Sequence, residues 1–318
     1  MTKHVLLVDV EEDRATFAIG PSGSRPVPRG SVACHDQAEL ISAILATLTE
    51  AEAADLSSAA FAAPGPITAG SIQLTHVEMR LDQDYLQDAL GVADVRLVND
   101  FSARAMAMPL LEDERVEQIG GRRLAGQAPA AALGPSGGLG VSILNPDGFV
   151  GWVASASEGG HASLPAARKR QSDIIEHLRR SQPHVSADRV VSDRGVLEVA
   201  AAIAELDGAA PPADKIADLI LDARSDQPVA REAFLLFSEW LGAVAGDLAL
   251  TAGARSGVYI FSPMVLGWAD LFDRDLCRAS FETKGRMSHY VADIPLYLVT
   301  EPECGLLGLS TLFSQARF

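Results

Sequence analysis

Cysteine is scarce in this chain. Its 318 residues include three, Cys34, Cys277 and Cys304. They are odd in number and too far apart for metal-ligand spacing, which excludes a disulfide framework and points to a reducing cytosol. Basic residues are also outnumbered: 26 Lys and Arg against 42 Asp and Glu give a net charge of −16. Binding a nucleic-acid backbone needs a basic face, so that partner is excluded, and an anionic membrane surface would repel the chain. No stretch approaches the ~20 uninterrupted apolar residues of a membrane span. The opening apolar run, Val5–Val8, is too short for the core of a secretory signal. No repeat with a period of 20–50 residues and no low-complexity tail is visible. The expectation is a soluble, cytoplasmic protein with no nucleic-acid or membrane partner.

What is present is the composition of a folded globular protein, 48% hydrophobic and 21% charged, in a chain long enough for two domains. Strand-like runs come early, at His4–Asp9, Ala15–Ile19, Ser31–Cys34 and Ala59–Ala63. Asp36 followed by Glu39 has the form of a capping box, and Leu40, Ile41, Ile44, Leu45 and Leu48 then recur at helical spacing. Asp82–Leu90 reads as a helix closed by Gly91, Val95–Asp100 as a buried strand, and "FSARAMAM" as a helix stopped before Pro109. Further on, "AALGPSGGLGVSIL" is strand, glycine-rich turn and strand, with Asp147-Gly148 as a hairpin signal. Helices are expected over Gln171–Arg180, Asp193–Leu206, Ala213–Ala223 and Val229 to about Leu250, and strands at "GVYIF" and "IPLYLV". Short connections between strands and helices make this an α/β protein.

Four stretches carry groups suited to chemistry. "LVNDF" puts Asn99 and Asp100 at the C-terminal end of a buried strand, the edge where α/β sheets bind ligands. "EGGH" puts Glu158 and His161 three apart across two glycines. "GPSGGLG", Gly134–Gly140, is a glycine-rich turn between strands. "HVSADRVVS" carries Asp188 and Arg189 just before a helix. Singly, each is as compatible with a turn, a helix cap or a tight bend as with a site.

Together, in this order and spacing, they resemble the bacterial glucokinases, within the hexokinase and actin-like superfamily. "LVNDFSARAMAMPLL" is similar to the strand and helix that carry that family's catalytic aspartate, and "EGGH" to its sugar-binding turn. "HVSADRVVSDRGV", "FETKGRMSHYVADIPLYLV" and "GLLG" (Gly305–Gly308) match later signatures. The resemblance implies a two-domain α/β fold of the actin-like, hexokinase (ribonuclease H-like) kind, with a cleft between a small and a larger domain. Residues 1–108 plus 302–318 would form the small domain and 109–301 the larger. It also implies phosphorylation of the C6 hydroxyl of glucose, or a similar hexose, by ATP with Mg²⁺. Asp100 would be the general base, and Asn99, Glu158 and His161 would hold the other hydroxyls. Asp188 falls where the family usually has a glutamate near the anomeric hydroxyl. No metal ligand of the protein itself is expected. A homodimer is expected from the family.

The phosphate side departs from the pattern. The family's first loop reads Asp-x-Gly-Gly-Thr-Asn-x-Arg, whereas this chain has Asp9, Val10, Glu11, Glu12, Asp13, Arg14, so only Asp9 is kept. At about 5 Å and an effective dielectric near 20, one carboxylate repels one phosphate by roughly 3 kcal/mol before screening; Arg14 would offset this if it pointed inward. In the second loop Gly134, Gly137 and Gly138 remain as candidates for nucleotide binding, but Ser136 replaces a glycine and Gly137 a threonine. At the third element Phe261, Ser262 and Pro263 stand where small residues are usual, adding bulk and removing a backbone donor. Near the sugar, Thr75 is followed by His76 instead of Asn, and Met79 stands where a Trp is usual. Two alternatives to an active kinase therefore stay open: a sugar-binding pseudokinase with a sensing or regulatory role and no cofactor, and a structural dimerisation protein. A sugar-responsive repressor is disfavoured, because the chain begins at its first strand and has no cysteine cluster.

Overall fold

The computed structural model describes residues 3–11, 13–75, 77–123, 127–149 and 151–313; Glu12 and His76 lie outside the described residues. The chain divides into two compact units, the first comprising 1–111, 146–156 and 301–318, and the second 112–145 and 157–300.

The first unit is built on β1 (His4–Val10), β2 (Arg14–Pro21), β3 (Pro28–Ala33), β4 (Leu56–Ala63), the short β5 (Ile67–Thr68), β6 (Ser71–Gln73) and β7 (Arg80–Asp82), and β8 (Asp94–Asn99). Five of them form one sheet in the order β3-β2-β1-β4-β8, and β5-β6-β7 form a small separate one. β1 pairs antiparallel with β2 and parallel with β4, which pairs parallel with β8. Along β1 the side chains alternate between two cores. Leu6, Val8 and Val10 join Leu40, Ile41, Ile44 and Leu86, from the helices Gln37–Leu45 and Gln83–Leu90, on one face. Val5 and Leu7 join Ala103, Leu306 and Leu309, from the helices Asp100–Ala107 and Cys304–Ser310, on the other. Covering both faces is what turns β1 into a continuous apolar run. A Cβ on Gly308 would lie 1.7 Å from the Ala103 carbonyl oxygen, so only glycine lets these last two helices approach so closely.

The local signals act as their chemistry dictates. Asp36 Oδ1 accepts from Ala38 and Glu39 N–H at 2.8 Å each, while the Glu39 carboxylate reaches back to His35 N–H rather than to Asp36 itself. Asp82 caps the helix that follows it, and Gly91 closes that helix at φ +68°.

The second unit contains β9 (Val116–Gln118), β10 (Ala130–Pro135) and β11 (Leu139–Pro146). After these the chain forms β12 (Trp152–Ser157), β13 (Val258–Ile260) and β14 (Leu296–Val299). Within the unit the strands run β11-β10-β13-β14-β9, with β10, β13 and β14 mutually parallel. Their core is filled by the helix Pro228–Ala252, which buries Phe234, Phe237, Trp240 and Leu241. Gly242 and Gly246 let the helix Arg274–Glu282 lie against it: a Cβ at Gly242 would meet the Cys277 carbonyl at 2.0 Å. Among the described residues Pro228–Ala252 is long and apolar enough to cross a membrane, and most of that stretch is buried inside the protein.

Candidate functional site

In the first unit the site begins where β8 ends. Asn99 Oδ1 accepts from Ser102 N–H at 3.1 Å and its Nδ2 donates to the Gly65 carbonyl at 3.3 Å, so its side chain is the cap of the next helix. The cap puts Asp100 at the first helical position, where the unpaired N–H groups favour an anion. One turn on, Arg104 Nη1 donates to Asp100 Oδ2 at 3.1 Å, and its Nη2 lies 4.0 Å from Asp9 Oδ2 at the end of β1. The guanidinium also lies over the Phe101 ring, 5.2 Å from its centroid.

Asp9 is buried, and burial pushes its carboxyl up to about 6; Arg104 opposes the rise, while Asp100, Glu11 and Glu303 add to it. Burial alone would lower Arg104, but the Asp9 and Asp100 carboxylates outweigh it and hold the guanidinium above its ordinary value. Asp9 Oδ1 is buried with no partner. A Cβ on Gly305 would fall 1.9 Å from Asp9 Oδ2, so glycine there is a steric requirement of the Asp9 site.

The turn after Asp9 is closed by Glu11 N–H donating to the Arg14 carbonyl at 2.8 Å. Glu11, Asp13 and Arg14 are all exposed. Arg14 is therefore not the inward cation the sequence asked for. Arg104 is, and the signal that marks it is the four-residue spacing from Asp100 on one helix face.

In the second unit the stretches "EGGH" and "HVSADR" are sewn together. Leu164 N–H donates to the Val185 carbonyl at 3.0 Å, Ala187 N–H to the Ala162 carbonyl at 2.9 Å, and Ser163 and Ser186 form an isolated bridge. His161 then stands between two carboxylates: Nε2 is 3.8 Å from Glu158 Oε2 and Nδ1 is 3.9 Å from Asp188 Oδ2. Glu158 and His161 are open to solvent, whereas Asp188 is half-buried. The result is a partly open polar group with acceptors on both sides of an imidazole, suited to a ligand rich in hydroxyls.

The glycine-rich turn joins β10 to β11. Ser136 N–H donates to the Gly138 carbonyl at 2.8 Å, leaving Ser136 and Gly137 exposed at the tip. Gly134, Gly137 and Gly138 all have ordinary φ, so their role is not backbone freedom. At Gly138 the reason is contact: a Cβ would lie 2.4 Å from Asp188 Oδ1. That same oxygen accepts from Leu139 N–H at 2.7 Å.

The third element differs from expectation in its local physics. Phe261 is buried, and its N–H donates to the Leu133 carbonyl at 2.9 Å. Ser262 Oγ donates to the Pro135 carbonyl at 2.7 Å and caps the helix Pro263–Gly267 by accepting from Val265 N–H. Pro263 opens that helix, where a backbone donor would have no helical acceptor, so its missing N–H costs nothing there.

Similarity to known proteins extends over nearly the whole chain. The family profile for Glucokinase matches residues 8–316. A glucokinase of Aromatoleum aromaticum is 37% identical over 316 residues, covering 98% of this chain and 95% of the relative. A glucokinase of Paramagnetospirillum magneticum is 36% identical over 322 residues, covering 100% and 99%. A glucokinase crystal structure from an Antarctic psychrotroph superposes with a TM-score of 0.87 at 25% identity, over 99% of this chain and 100% of the other. The chain belongs to the glucokinase family.

Proposed function

We propose that this protein transfers the terminal phosphoryl group of ATP to the C6 hydroxyl of glucose or a similar hexose. The observation that carries the reading is the Asp100 carboxylate, fixed at a helix start by the Asn99 cap and by Arg104. A base so held is aimed rather than free to rotate. Asp100 accepts the O6 proton as O6 bonds to phosphorus and the bond from phosphorus to the departing diphosphate breaks. Glu158, His161 and Asp188 take the other sugar hydroxyls as acceptors and donor, and Asn99 serves through its cap, by setting where Asp100 stands.

The residues present suit a nucleotide with Mg²⁺. The exposed Gly137 at the tip offers its backbone N–H to phosphate oxygens. The ion would be carried mainly by phosphates and water. The buried, unpartnered Asp9 Oδ1 is suited to accept from that water shell. When bound, the ion neutralises charge on the transferring group.

A second reading, a sugar-binding protein without efficient turnover, is favoured by one observation: Glu11 and Asp13 occupy the turn beside Asp9. A coupled assay with glucose and Mg-ATP separates the two. The first expects turnover that disappears in Asp100→Ala; glucose binding by calorimetry with no turnover from any phosphoryl donor supports the second and overturns the first. We further propose a cytoplasmic homodimer, for which the solution mass by light scattering should be twice that of the chain.

A further inference from the structure

The peptide groups of Leu139 are gripped from two sides. Its N–H donates to Asp188 Oδ1 at 2.7 Å. Its carbonyl oxygen lies so close to Gly160 that a Cβ there would fall 1.9 Å away. Leu139 is the first residue of β11, directly after the glycine-rich tip, and Gly160 is the middle of the turn that presents Glu158 and His161. Asp188 faces both ways, with Oδ1 on Leu139 N–H and Oδ2 3.9 Å from His161 Nδ1. The other side of the tip is anchored too, by Asp193 N–H donating to the Ser136 carbonyl at 3.2 Å. Asp193 opens the helix that follows the short helix carrying Asp188.

We propose that Asp188 is a positioning residue that couples the hexose group of this unit to the glycine-rich turn through Leu139, so that a sugar on Glu158, His161 and Asp188 stiffens the turn meant for phosphate. Resting on the proposed site, this adds a role to Asp188 that contact with a sugar hydroxyl does not supply. The physical basis is that one carboxylate serves two neighbours. A sugar hydroxyl that donates to Oδ2 fixes the carboxylate plane, and with it the acceptor that Leu139 N–H requires. Coupling of this kind is reciprocal: whatever glucose contributes to the turn, a ligand on the turn contributes to glucose.

The chemistry of three variants separates this role from simple sugar binding. Asp188→Asn keeps a carbonyl-type acceptor for Leu139 N–H while losing the charge beside His161. Asp188→Ala loses both. Gly138→Ala leaves Asp188 in place but drives a methyl into Oδ1.

Hydrogen exchange of the Leu139 amide in the full chain is the direct readout, and calorimetry with Mg-ATP at saturating glucose is the second. In wild type the amide is protected, and glucose slows its exchange further. The slow exchange persists in Asp188→Asn. In Asp188→Ala and Gly138→Ala it speeds up at least tenfold, while amides of the Pro228–Ala252 helix are unchanged and show the fold intact. Glucose tightens Mg-ATP binding in wild type but not in Asp188→Ala. Equal exchange at Leu139 in wild type and Asp188→Ala, or no effect of glucose on that amide, overturns the proposal. A wild type that binds glucose but no Mg-ATP sinks the donor assignment alone, and the exchange data then decide the coupling by themselves.

Discussion

Replacing Asp9 by asparagine should make the first unit more stable at neutral pH. Asp9 sits at the end of a central strand with 8% of its surface exposed, and its carboxyl rises from 3.8 to about 6. Because the folded value lies above the unfolded one, the stability linked to this group is fully present below about pH 4. It is then lost as pH rises through about 6. At about 1.4 kcal/mol per unit, ionising Asp9 opposes folding by about 3 kcal/mol at pH 7, most of it lost between pH 4 and 7. Asparagine fills the same space without the charge, and Arg104 keeps Asp100 as a partner, so the gain at pH 7 should be about 1–3 kcal/mol. Native-state hydrogen exchange of the Leu6 and Val8 amides in β1, corrected for intrinsic rates, reports opening of this unit. Wild type should lose protection across the window and Asp9→Asn should hold it. Equal loss in both proteins would refute the assignment of this charge as buried and under-compensated.

Gly308→Ala must push the helix Cys304–Ser310 off the Ala103 carbonyl and should destabilise the first unit by about 1–3 kcal/mol in a thermal melt; Gly267→Ala, whose Cβ would meet nothing within 4 Å, should be near neutral. Arg104→Met strands two carboxylates and should lower kcat tenfold or more with a smaller change in the KM for glucose, while Arg104→Lys recovers part of the loss; equal rates in all three proteins would remove Arg104 from the site. Gly160→Ala should weaken glucose binding by calorimetry, because the turn cannot keep its place against Leu139.

Much of the scaffold was legible because its signals are local. β1 announces itself by an apolar run, and the helix starts at Asp36 and Asp82 by side chains that can accept from the first turn. Asp100, Glu158, His161 and Asp188 could be singled out by order along the chain. What escaped depends on contacts between distant residues. Nothing near Leu139 says that its N–H will meet Asp188, 49 positions on, nor does Gly305 advertise that it makes room for Asp9. The grouping of 146–156 with the first unit is equally non-local. Arg104 is a different case: its spacing from Asp100 was readable, but its second neighbour, Asp9, belongs to another strand.

The acidic turn after β1 looks different once its orientation is known. Repulsion falls with distance and is screened within about 8–10 Å in physiological salt when the charges face water. Glu11 and Asp13 are exposed, so water and ions weaken their effect on a bound phosphate far more than burial would allow. Asp9 is the charge that cannot be screened, and it is the one given a half-buried guanidinium, itself shared with Asp100. Arginine suits that place because it stays charged when desolvated, where a lysine would lose its proton more readily. The electrostatic question at this site is therefore less how many carboxylates the turn carries than whether one guanidinium can serve two of them. Asp9→Asn in an Arg104→Met background tests this directly. If Arg104 acts by balancing that pair, removing the Asp9 charge should stabilise the Arg104→Met protein by more than it stabilises wild type, and equal gains in the two backgrounds would mean that the guanidinium acts on Asp100 alone.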